Sequence, residues 1–523
     1  MVPARGVIAT VVVSLTILVG CADSDDEHAS STTSTAALPP NQVAGVDLPH
    51  DAVDDAVGRL DDLVASLMDS TRIPGMAVAV VHGGKTVYAK GFGVRQEGRP
   101  DKVDADTVFQ LASVSKSVAA SVVASQVGAG RVDWETPVVE HLPNFALADP
   151  ATTAQLTVGD LLAHRSGLPD HAGDRLEDIG YDQAAILDKL RLEPLAPFRI
   201  TYEYTNFGFT AGAEAVAAAA GTDWAQLSAD AVYTPLGMGS TSSRFDDFQA
   251  RPNRAVGHVD VDGQWVARSV RNPDAQSPAG GVSSSVEDMA RWLTMLLADG
   301  APIAPPEALL PAITPQVISA PATAPAARAG NYGFGFNASV SPAGRTAYSH
   351  SGAFALGAAT NFLVIPSADV AIVALTNAAP IGVPEALTAE FADLVQFGEI
   401  REDWRGLYHD IIAPLNDPTG DLAGKPTPAN PAPAQPLPSY AGTYANEFWG
   451  PATIAETPSG LTLTIGPAGQ SYPLRHWDGD TFAFEPSGEN APPGSLSSVV
   501  FTGDTVTIDF FDEDGLGTFT EGG

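Results

Sequence analysis

Stretches typical of β-strands lie at both ends of residues 51–400, and a mainly helical region separates them. Near the start, two β-rich runs flank a Gly-Gly turn at residues 83–84, which predicts a hairpin. The later β-type runs are residues 345–349, 358–365 and 370–376. Apolar residues recur at helical spacing in residues 51–69, 182–192, 209–220 and 286–299. We therefore predict an α/β (α+β) domain in which one antiparallel sheet is built from both ends and a helical subdomain packs against it.

The C-terminal part of the chain has a different pattern. Residues 401–438 are rich in Pro and Ala and are predicted to be a linker. Residues 439–523 alternate short β-type runs with turns, which predicts a small all-β, barrel-like domain. Its clearest runs are residues 461–465, 481–484, 499–501 and 506–511.

The N-terminus is typical of a targeting segment. Arg5 precedes an apolar run at residues 7–19, which is too short to span a bilayer, and Cys21 follows directly before polar residues. This resembles a bacterial lipoprotein signal, in which the Cys is lipidated and becomes the first mature residue. The alternative is an ordinary secretory signal with an incidental Cys. We predict a signal peptide at 1–20, a flexible tether at 21–50, and an exported protein of the bacterial cell envelope, lipid-anchored to the membrane at its outer or periplasmic face.

The charge of the chain limits its partners. The formal net charge is −35, with 62 acidic residues against 27 Lys and Arg. Nucleic-acid binding needs clustered basic residues, so this balance argues against a nucleic-acid partner. It also argues against electrostatic docking on an anionic membrane, so the predicted contact with the membrane is only through a lipid at Cys21.

Ser113 and Lys116 are the first candidate catalytic pair. They stand three residues apart in a run whose Val114, Val118 and Val122 recur at helical spacing, so both are expected on one helix face, one turn in from the helix N-terminus. A hydroxyl beside an amine is the arrangement of a nucleophile and its base. The alternative is a solvated surface Lys, although lysine is rare in this chain: residues 85, 90, 102, 116, 189 and 425.

Two more motifs follow in the chain. Tyr204 and Asn206 form a Tyr-x-Asn motif before a helical run, and His350 and Gly352 form a His-x-Gly motif on a predicted strand. Taken singly, Tyr204 is compatible with an ordinary buried tyrosine and His350 with a core or surface histidine. The strand glycine indicates a close approach of the backbone to another group.

Ser-x-x-Lys, Tyr-x-Asn and His-x-Gly, in that order, resemble the motifs of the serine β-lactamase and penicillin-binding-protein superfamily. Flanking stretches resemble its class C-like branch of β-lactamase-related serine hydrolases: residues 161–168, 235–238, 278–290 and 332–336. Residues 440–519 resemble the lipocalin-like β domain that often follows such hydrolases.

The resemblance implies an acyl-enzyme route. Ser113 would attack a carbonyl, Lys116 would take or share its proton, and Tyr204 lies at the position of the family's general base. Asn206 would hydrogen-bond the substrate and help to orient Lys116. The N–H groups of Ser113 and Ala353 would form the oxyanion hole.

The resemblance requires no metal and no cofactor. Three other histidines, His164, His171 and His258, show no convincing metal-ligand spacing and are interpreted as structural.

One departure from the β-lactamase pattern bears on the substrate. β-Lactamases carry a Lys at the position of His350, where its permanent charge suits a substrate carboxylate, whereas a His is mostly neutral near pH 7. His350 resembles the residue in esterase and D-aminopeptidase members of the branch. A second departure, Thr205 in place of the commoner Ser, keeps the hydroxyl.

The sequence therefore predicts an exported serine hydrolase for small-molecule esters, small amides or peptides. A β-lactamase or D,D-carboxypeptidase stays open as an alternative, as does a non-catalytic protein that binds or senses cell-wall peptides.

Overall fold

The computed structural model describes residue 39, residues 42–268 and residues 271–522, of which residues 44–522 belong to one compact unit. The predicted signal peptide and Cys21 lie outside the described residues, as does most of the predicted tether. At the end of that tether, the amide of Gly45 donates to the carbonyl of Ala343 at 3.0 Å, and Arg345 donates to the carbonyl of Val46.

Within the described residues, twelve strands precede the C-terminal barrel. They are β1 (Gly75–His82), β2 (Lys85–Gly93), β3 (Phe109–Gln110), β4 (Val259–Val261), β5 (Gln264–Val266), β6 (Ser283–Ser284), β7 (Val317–Ala320), β8 (Gly330–Tyr332), β9 (Asn337–Val340), β10 (Thr346–Phe354), β11 (Ala358–Ile365) and β12 (Val370–Thr376).

Eight of these strands form one antiparallel sheet in the order β2-β1-β12-β11-β10-β9-β8-β7. The N-terminal hairpin joins the late strands through β1 and β12, with Met76 opposite Thr376 and His82 opposite Val370. The prediction of a sheet built from both ends of the domain is confirmed. In this strand order β10, which carries His350 and Gly352, lies inside the sheet rather than at an edge.

Sixteen α-helices accompany these strands in the part of the chain that the structure describes. They are α1 (Ala52–Gly58), α2 (Leu60–Thr71), α3 (Val114–Gly128), α4 (Pro150–Gln155), α5 (Val158–Leu162), α6 (Asp174–Asp178), α7 (Gln183–Lys189), α8 (Asn206–Ala220), α9 (Trp224–Ser228), α10 (Thr234–Leu236), α11 (Phe245–Ala250), α12 (Ser277–Gly280), α13 (Val286–Leu297), α14 (Pro306–Ile313), α15 (Val383–Phe397) and α16 (Trp404–Ile412).

Both faces of the sheet are covered, which explains the unbroken apolar run of β1. Successive strand residues point to opposite faces. Ala77, Ala79 and Val81 pack in the core that contains α3 and α13, whereas Val78 and Val80 pack in the core that contains α1, α2 and α15. In the described part of the chain, no helix is both long and apolar enough to cross a bilayer.

The C-terminal strands close into a barrel in which neighbours in sequence are neighbours in space. They are β13 (Gly442–Ala445), β14 (Ala452–Thr457), β15 (Gly460–Ile465), β16 (Gln470–Asp478), β17 (Thr481–Phe484), β18 (Ser497–Thr502), β19 (Thr505–Ile508) and β20 (Thr518–Glu521). The prediction of a barrel-like all-β domain is confirmed.

Two predicted boundaries need correction. The run 506–511 is strand only to Ile508, because the chain then makes a 3-10 turn that buries Phe510 and Phe511. The predicted linker 401–438 begins with helix α16, whose Trp404 and Tyr408 rings lie 6.0 Å apart and which packs on α15. Aromatic and aliphatic residues at helical spacing in that stretch outweigh its overall Pro and Ala content.

Candidate active site

A sharp turn between β3 and α3 presents Ser113. Ala112 adopts a positive φ of 47°, an uncommon conformation for a residue with a Cβ, and α3 begins immediately after Ser113. Ser113 is thus the N-cap of the helix, which corrects the prediction that it lies one turn inside. The amide of Ser113 is therefore one of the free N–H groups at the positive end of α3.

Lys116 is buried beside Ser113. Its Nζ donates to Ser113 Oγ at 3.2 Å, to Asn206 Oδ1 at 2.7 Å and to the carbonyl of Ala279 at 3.1 Å. Burial lowers the pKa of Lys116 to about 7, although the charge of Asp174 acts in the opposite direction. Near neutral pH a large fraction of this amine is therefore unprotonated.

Tyr204 lies against the same amine, in the loop that enters α8. Lys116 Nζ stands 4.5 Å from the centre of its ring. Burial raises the pKa of Tyr204 well above its ordinary value, although a contact with Ser113 opposes this shift. The phenol therefore keeps its proton in the resting protein and can act as a proton donor.

A carboxylate fixes the orientation of Asn206. Asp174 Oδ2 accepts a hydrogen bond from Asn206 Nδ2 at 2.7 Å and contacts His171 Nδ1 at 2.8 Å. Because the amide nitrogen of Asn206 faces Asp174, its oxygen faces Lys116. Burial alone would lower the pKa of His171, but the hydrogen bond and the negative charge of Asp174, together with Asp170, raise it to about 8.

Gly352 on β10 approaches the nucleophile from the other side. A Cβ at this position would lie 2.2 Å from the carbonyl oxygen of Leu111, 2.4 Å from Thr360 Oγ1 and 3.0 Å from the amide nitrogen of Ser113. Only glycine fits there. The next residue, Ala353, lines the same cavity as Ser113, as required of the predicted pair of oxyanion donors.

His350 is buried and held by hydrogen bonds on both sides of its ring. Its Nε2 pairs with the Tyr332 hydroxyl at 2.8 Å, and its Nδ1 contacts the carbonyl of Ser351 at 2.6 Å. Burial and the nearby charge of Lys116 lower the pKa of His350 to about 3. His350 is therefore uncharged at neutral pH.

Five of the predicted site residues line one cavity of about 510 Å³, and both domains contribute to its walls. The N-terminal domain (residues 51–400) supplies Ser113, Tyr204, Asn206, His350 and Ala353. The barrel supplies a second group to the wall: Phe448, Trp449, Glu489, Asn490, Pro492, Phe511, Glu513, Asp514 and Leu516.

Buried polar contacts hold the barrel at the cavity. The Asp178 carboxylate accepts hydrogen bonds from the amides of Glu489 and Asn490, both at 3.1 Å. The Glu489 carboxylate in turn accepts from the amide of Ala355, at the tip of the β10–β11 hairpin, at 2.7 Å. Arg271 lies between these acids and pairs with Glu177 at 2.5 Å.

The other histidines lie as follows. His164 Nδ1 accepts from the amide of Thr205 at 3.1 Å, behind the Tyr204 ring. His258 binds the main chain of Glu97 and Asn377. His171, which the sequence indicated only as structural, lines the cavity, and with Asp174 it is a site residue that sequence reasoning missed. A His and an Asp three residues apart are the only local signal, and that signal is weak.

Comparison with known families agrees with this geometry. The family model described as "Beta-lactamase" matches residues 60–397, which is more than half of the chain. The chain belongs to the β-lactamase family. Its fold and its Ser-x-x-Lys, Tyr-x-Asn and His-x-Gly order are those expected of the serine β-lactamase and penicillin-binding-protein superfamily. Residues 426–518 match a second model, "Domain of unknown function (DUF3471)".

Relatives of this β-lactamase family member include proteins named as hydrolases and as penicillin-binding proteins. Unguisins hydrolase ungD' of Aspergillus campestris is 28% identical over 412 residues, which cover 75% of each chain. Penicillin-binding protein 4 of Amycolatopsis lactamdurans is 28% identical over 399 residues, 74% of this chain and 97% of that protein. The octameric penicillin-binding protein homologue from Pyrococcus abyssi shares the fold, with a TM-score of 0.58, 19% identity and coverage of 87% of this chain and 98% of that one.

Proposed function

We propose that this protein is a serine hydrolase that cleaves esters and small amides or peptides through an acyl-enzyme at Ser113. The observation that carries the proposal is the contact between Ser113 Oγ and Lys116 Nζ, which lie 3.2 Å apart. Burial lowers the pKa of this amine to about 7. A hydroxyl is a weak nucleophile until a neighbouring base accepts its proton. Lys116 suits that task, because it contacts Ser113 Oγ and has a lowered pKa.

In the first step Ser113 Oγ forms a bond to the substrate carbonyl carbon while its proton passes to Lys116. The carbonyl oxygen gains negative charge, which the amides of Ser113 and Ala353 would stabilise as the oxyanion hole. The loss of one such donor typically costs about 10²–10³ in kcat.

In the second step the bond to the leaving group breaks, and the leaving oxygen or nitrogen takes a proton. Tyr204 is suited to deliver it, because burial keeps its phenol protonated. The proton on Lys116 can replace the one that Tyr204 gives up. Water then adds to the acyl carbon and loses a proton to the same pair of side chains. The bond between that carbon and Ser113 Oγ breaks, and the pair returns the proton to Oγ, which releases the acid and restores Ser113.

The state of His350 favours esters and small amides over penicillins. A β-lactamase of this pattern offers a cation at that position, whereas His350 is buried and uncharged and is already bound to Tyr332. The nearby cation Arg271 pairs with Glu177. Neither group offers a free positive charge to a substrate carboxylate, so we expect any β-lactam turnover to be slow.

Two further features support the proposal. One relative is named for hydrolysing unguisins, which is consistent with hydrolysis as the outcome. The sequence pattern at residues 5–21 supports export and lipid attachment at Cys21, which would place the activity in the cell envelope.

Labelling with a fluorophosphonate, followed by mass spectrometry, tests the acyl-enzyme. We expect one adduct on the peptide that contains Ser113 and none in Ser113→Ala. An unlabelled wild-type protein would instead favour the binding or sensing function.

A matched pair of assays tests the substrate class. We expect wild type to hydrolyse p-nitrophenyl esters with a higher kcat/KM than nitrocefin, with Ser113→Ala as the blank for both. Faster turnover of nitrocefin would identify a β-lactamase and contradict the proposed preference.

A further inference from the structure

The wall of the cavity includes two acidic side chains, Glu193 and Asp514, and burial raises the pKa of both. Glu193 is 1% exposed and lines the cavity, yet its carboxylate has neither a hydrogen bond nor an ion pair among the described residues. Asp514, from the barrel, lines the cavity close enough for its charge to disfavour ionisation of Glu193. A buried carboxylate without a partner is costly, so such a group in a cavity wall indicates a missing ligand.

The cationic side chains that line the cavity are already engaged. Arg175 pairs with Glu513 at 2.8 Å and lies over the Phe510 ring, and Arg271 pairs with Glu177. His171 is bound to Asp174. Burial and the neighbouring Asp514 raise the pKa of Glu193 to about 8, so Glu193 is largely protonated at pH 7 until a cation in the cavity favours its ionised form.

Aromatic rings from the barrel lie at the same wall. Phe448 and Trp449 have ring centroids 4.8 Å apart, Trp449 and Phe511 are 4.7 Å apart, and all three line the cavity. The faces of such rings attract organic ammonium ions.

Hydrogen bonds bring these rings to the two acids. Lys189 lies four residues before Glu193, and it donates to the carbonyl of Glu447, the residue before Phe448. Asn446 donates to the carbonyl of Leu516 at 2.8 Å, which joins the loop of Phe448 and Trp449 to that of Asp514. The carboxylates and the rings thus form one surface, which we call the acidic aromatic wall: Glu193, Phe448, Trp449, Phe511 and Asp514.

We propose that the acidic aromatic wall binds a positively charged amine of the substrate, so that the enzyme selects esters or amides carrying an ammonium group. The inference rests on the proposed function, because it assigns the substrate class of the Ser113 site. The carboxylates bind the charge of the ammonium and the aromatic rings bind its alkyl surface. The barrel, rather than the catalytic domain alone, then sets the selectivity.

Two esters that differ only in charge test this assignment: p-nitrophenyl 6-aminohexanoate, and p-nitrophenyl heptanoate, in which a methyl group replaces the ammonium. We expect wild type at pH 7 to favour the cationic ester in kcat/KM by about tenfold or more, as a hydrogen bond to a charged group implies. The ratio should fall toward one in Glu193→Gln and in Asp514→Asn. Glu456→Gln, an exposed position on β14 away from the cavity, is the matched control and should keep the wild-type ratio.

A wild-type ratio of one or below, or a ratio that neither carboxylate variant changes, would overturn the assignment. Asp514→Asn provides the test if Glu193→Gln fails to fold, because Asp514 lies in a partly exposed turn.

Binding can be measured without catalysis. By calorimetry, Ser113→Ala should bind hexylammonium about tenfold tighter than 1-hexanol, and the difference should disappear when Glu193→Gln is added. If neither ester is turned over faster than by Ser113→Ala but hexylammonium still binds selectively, the proposed hydrolase function fails and the amine site stands. Equal binding of amine and alcohol would refute the amine site whether or not the esters react.

Discussion

Gly352 and Ser113 approach so closely that a methyl group on Gly352 would lie 3.0 Å from the Ser113 amide nitrogen. The two residues come from a late strand and an early helix N-terminus, and their contact places β10 at the nucleophile. The next residue, Ala353, lines the same cavity as Ser113, and the amides of these two residues are the predicted oxyanion donors.

Gly352→Ala should abolish most of the activity. The added methyl would collide with the Leu111 carbonyl and Thr360 as well as with the Ser113 amide, so strand and helix must separate. We expect kcat/KM for a p-nitrophenyl ester to fall at least about 100-fold, the scale of a lost oxyanion donor. Gly58→Ala, where a methyl would meet no atom within 4 Å, is the matched control and should keep full activity. Equal activities of the two variants would contradict this geometry.

The pH dependence of kcat/KM should follow the ionisation of the Lys116 amine. Its pKa of about 7 means that the amine is protonated, and unable to accept the Ser113 proton, below that pH. We expect kcat/KM to fall with decreasing pH below about 7 and to level off above it. Lys116→Arg, which stays protonated throughout, should lose about 10²–10⁴ in kcat/KM at all pH values. A flat profile between pH 5 and 9 in wild type would show that another group is the base.

Asp174→Asn should shift that profile to lower pH. The negative charge of Asp174 raises the pKa of Lys116 against the effect of burial, so its removal lets the pKa fall further. The variant should also lower kcat, because a neutral amide at position 174 holds the Asn206 amide less strongly than a carboxylate does. Asp188→Asn, on the exposed side of α7, serves as the control for the loss of one acidic charge and should keep the wild-type profile. A shift to higher pH would contradict the electrostatic role of Asp174.

Asp178→Ala should loosen the barrel. The variant removes the acceptor for the amides of Glu489 and Asn490 and leaves those groups buried without partners. We expect the free energy of unfolding in urea to fall by roughly 2–4 kcal/mol and KM for the ester to rise. Asp504→Ala, in an exposed barrel turn, should change neither quantity. Unchanged stability and KM in Asp178→Ala would mean that the contact contributes little to docking.

Much of the fold and the central pair of the site follow from local sequence. The strands β1, β11 and β12 are recognisable because both faces of the sheet are covered, so their residues form nearly continuous apolar runs bounded by turns. Ser113 and Lys116 are three residues apart on one helix, so their proximity is a property of helix geometry. The sequence predicts a linker where helix α16 lies, because the Pro and Ala content of residues 401–438 obscures the helical spacing of the aromatic residues in α16.

The remaining parts of the site depend on contacts between distant segments. Asp178 and Glu489 meet across 311 residues, and Lys116 and Asn206 across 90, and no periodic pattern reports such pairs. The neutral state of His350 follows from burial, which a single sequence does not reveal. For the same reason, the sequence identified the barrel but could not show that its loops line the cavity.

The reacting groups belong to one folding domain, whereas much of the surface that a substrate touches belongs to another. Changes in residues 442–521 can therefore alter substrate selectivity without altering the catalytic groups. Grafting the barrel of a relative onto residues 51–400 becomes a rational route to new selectivities.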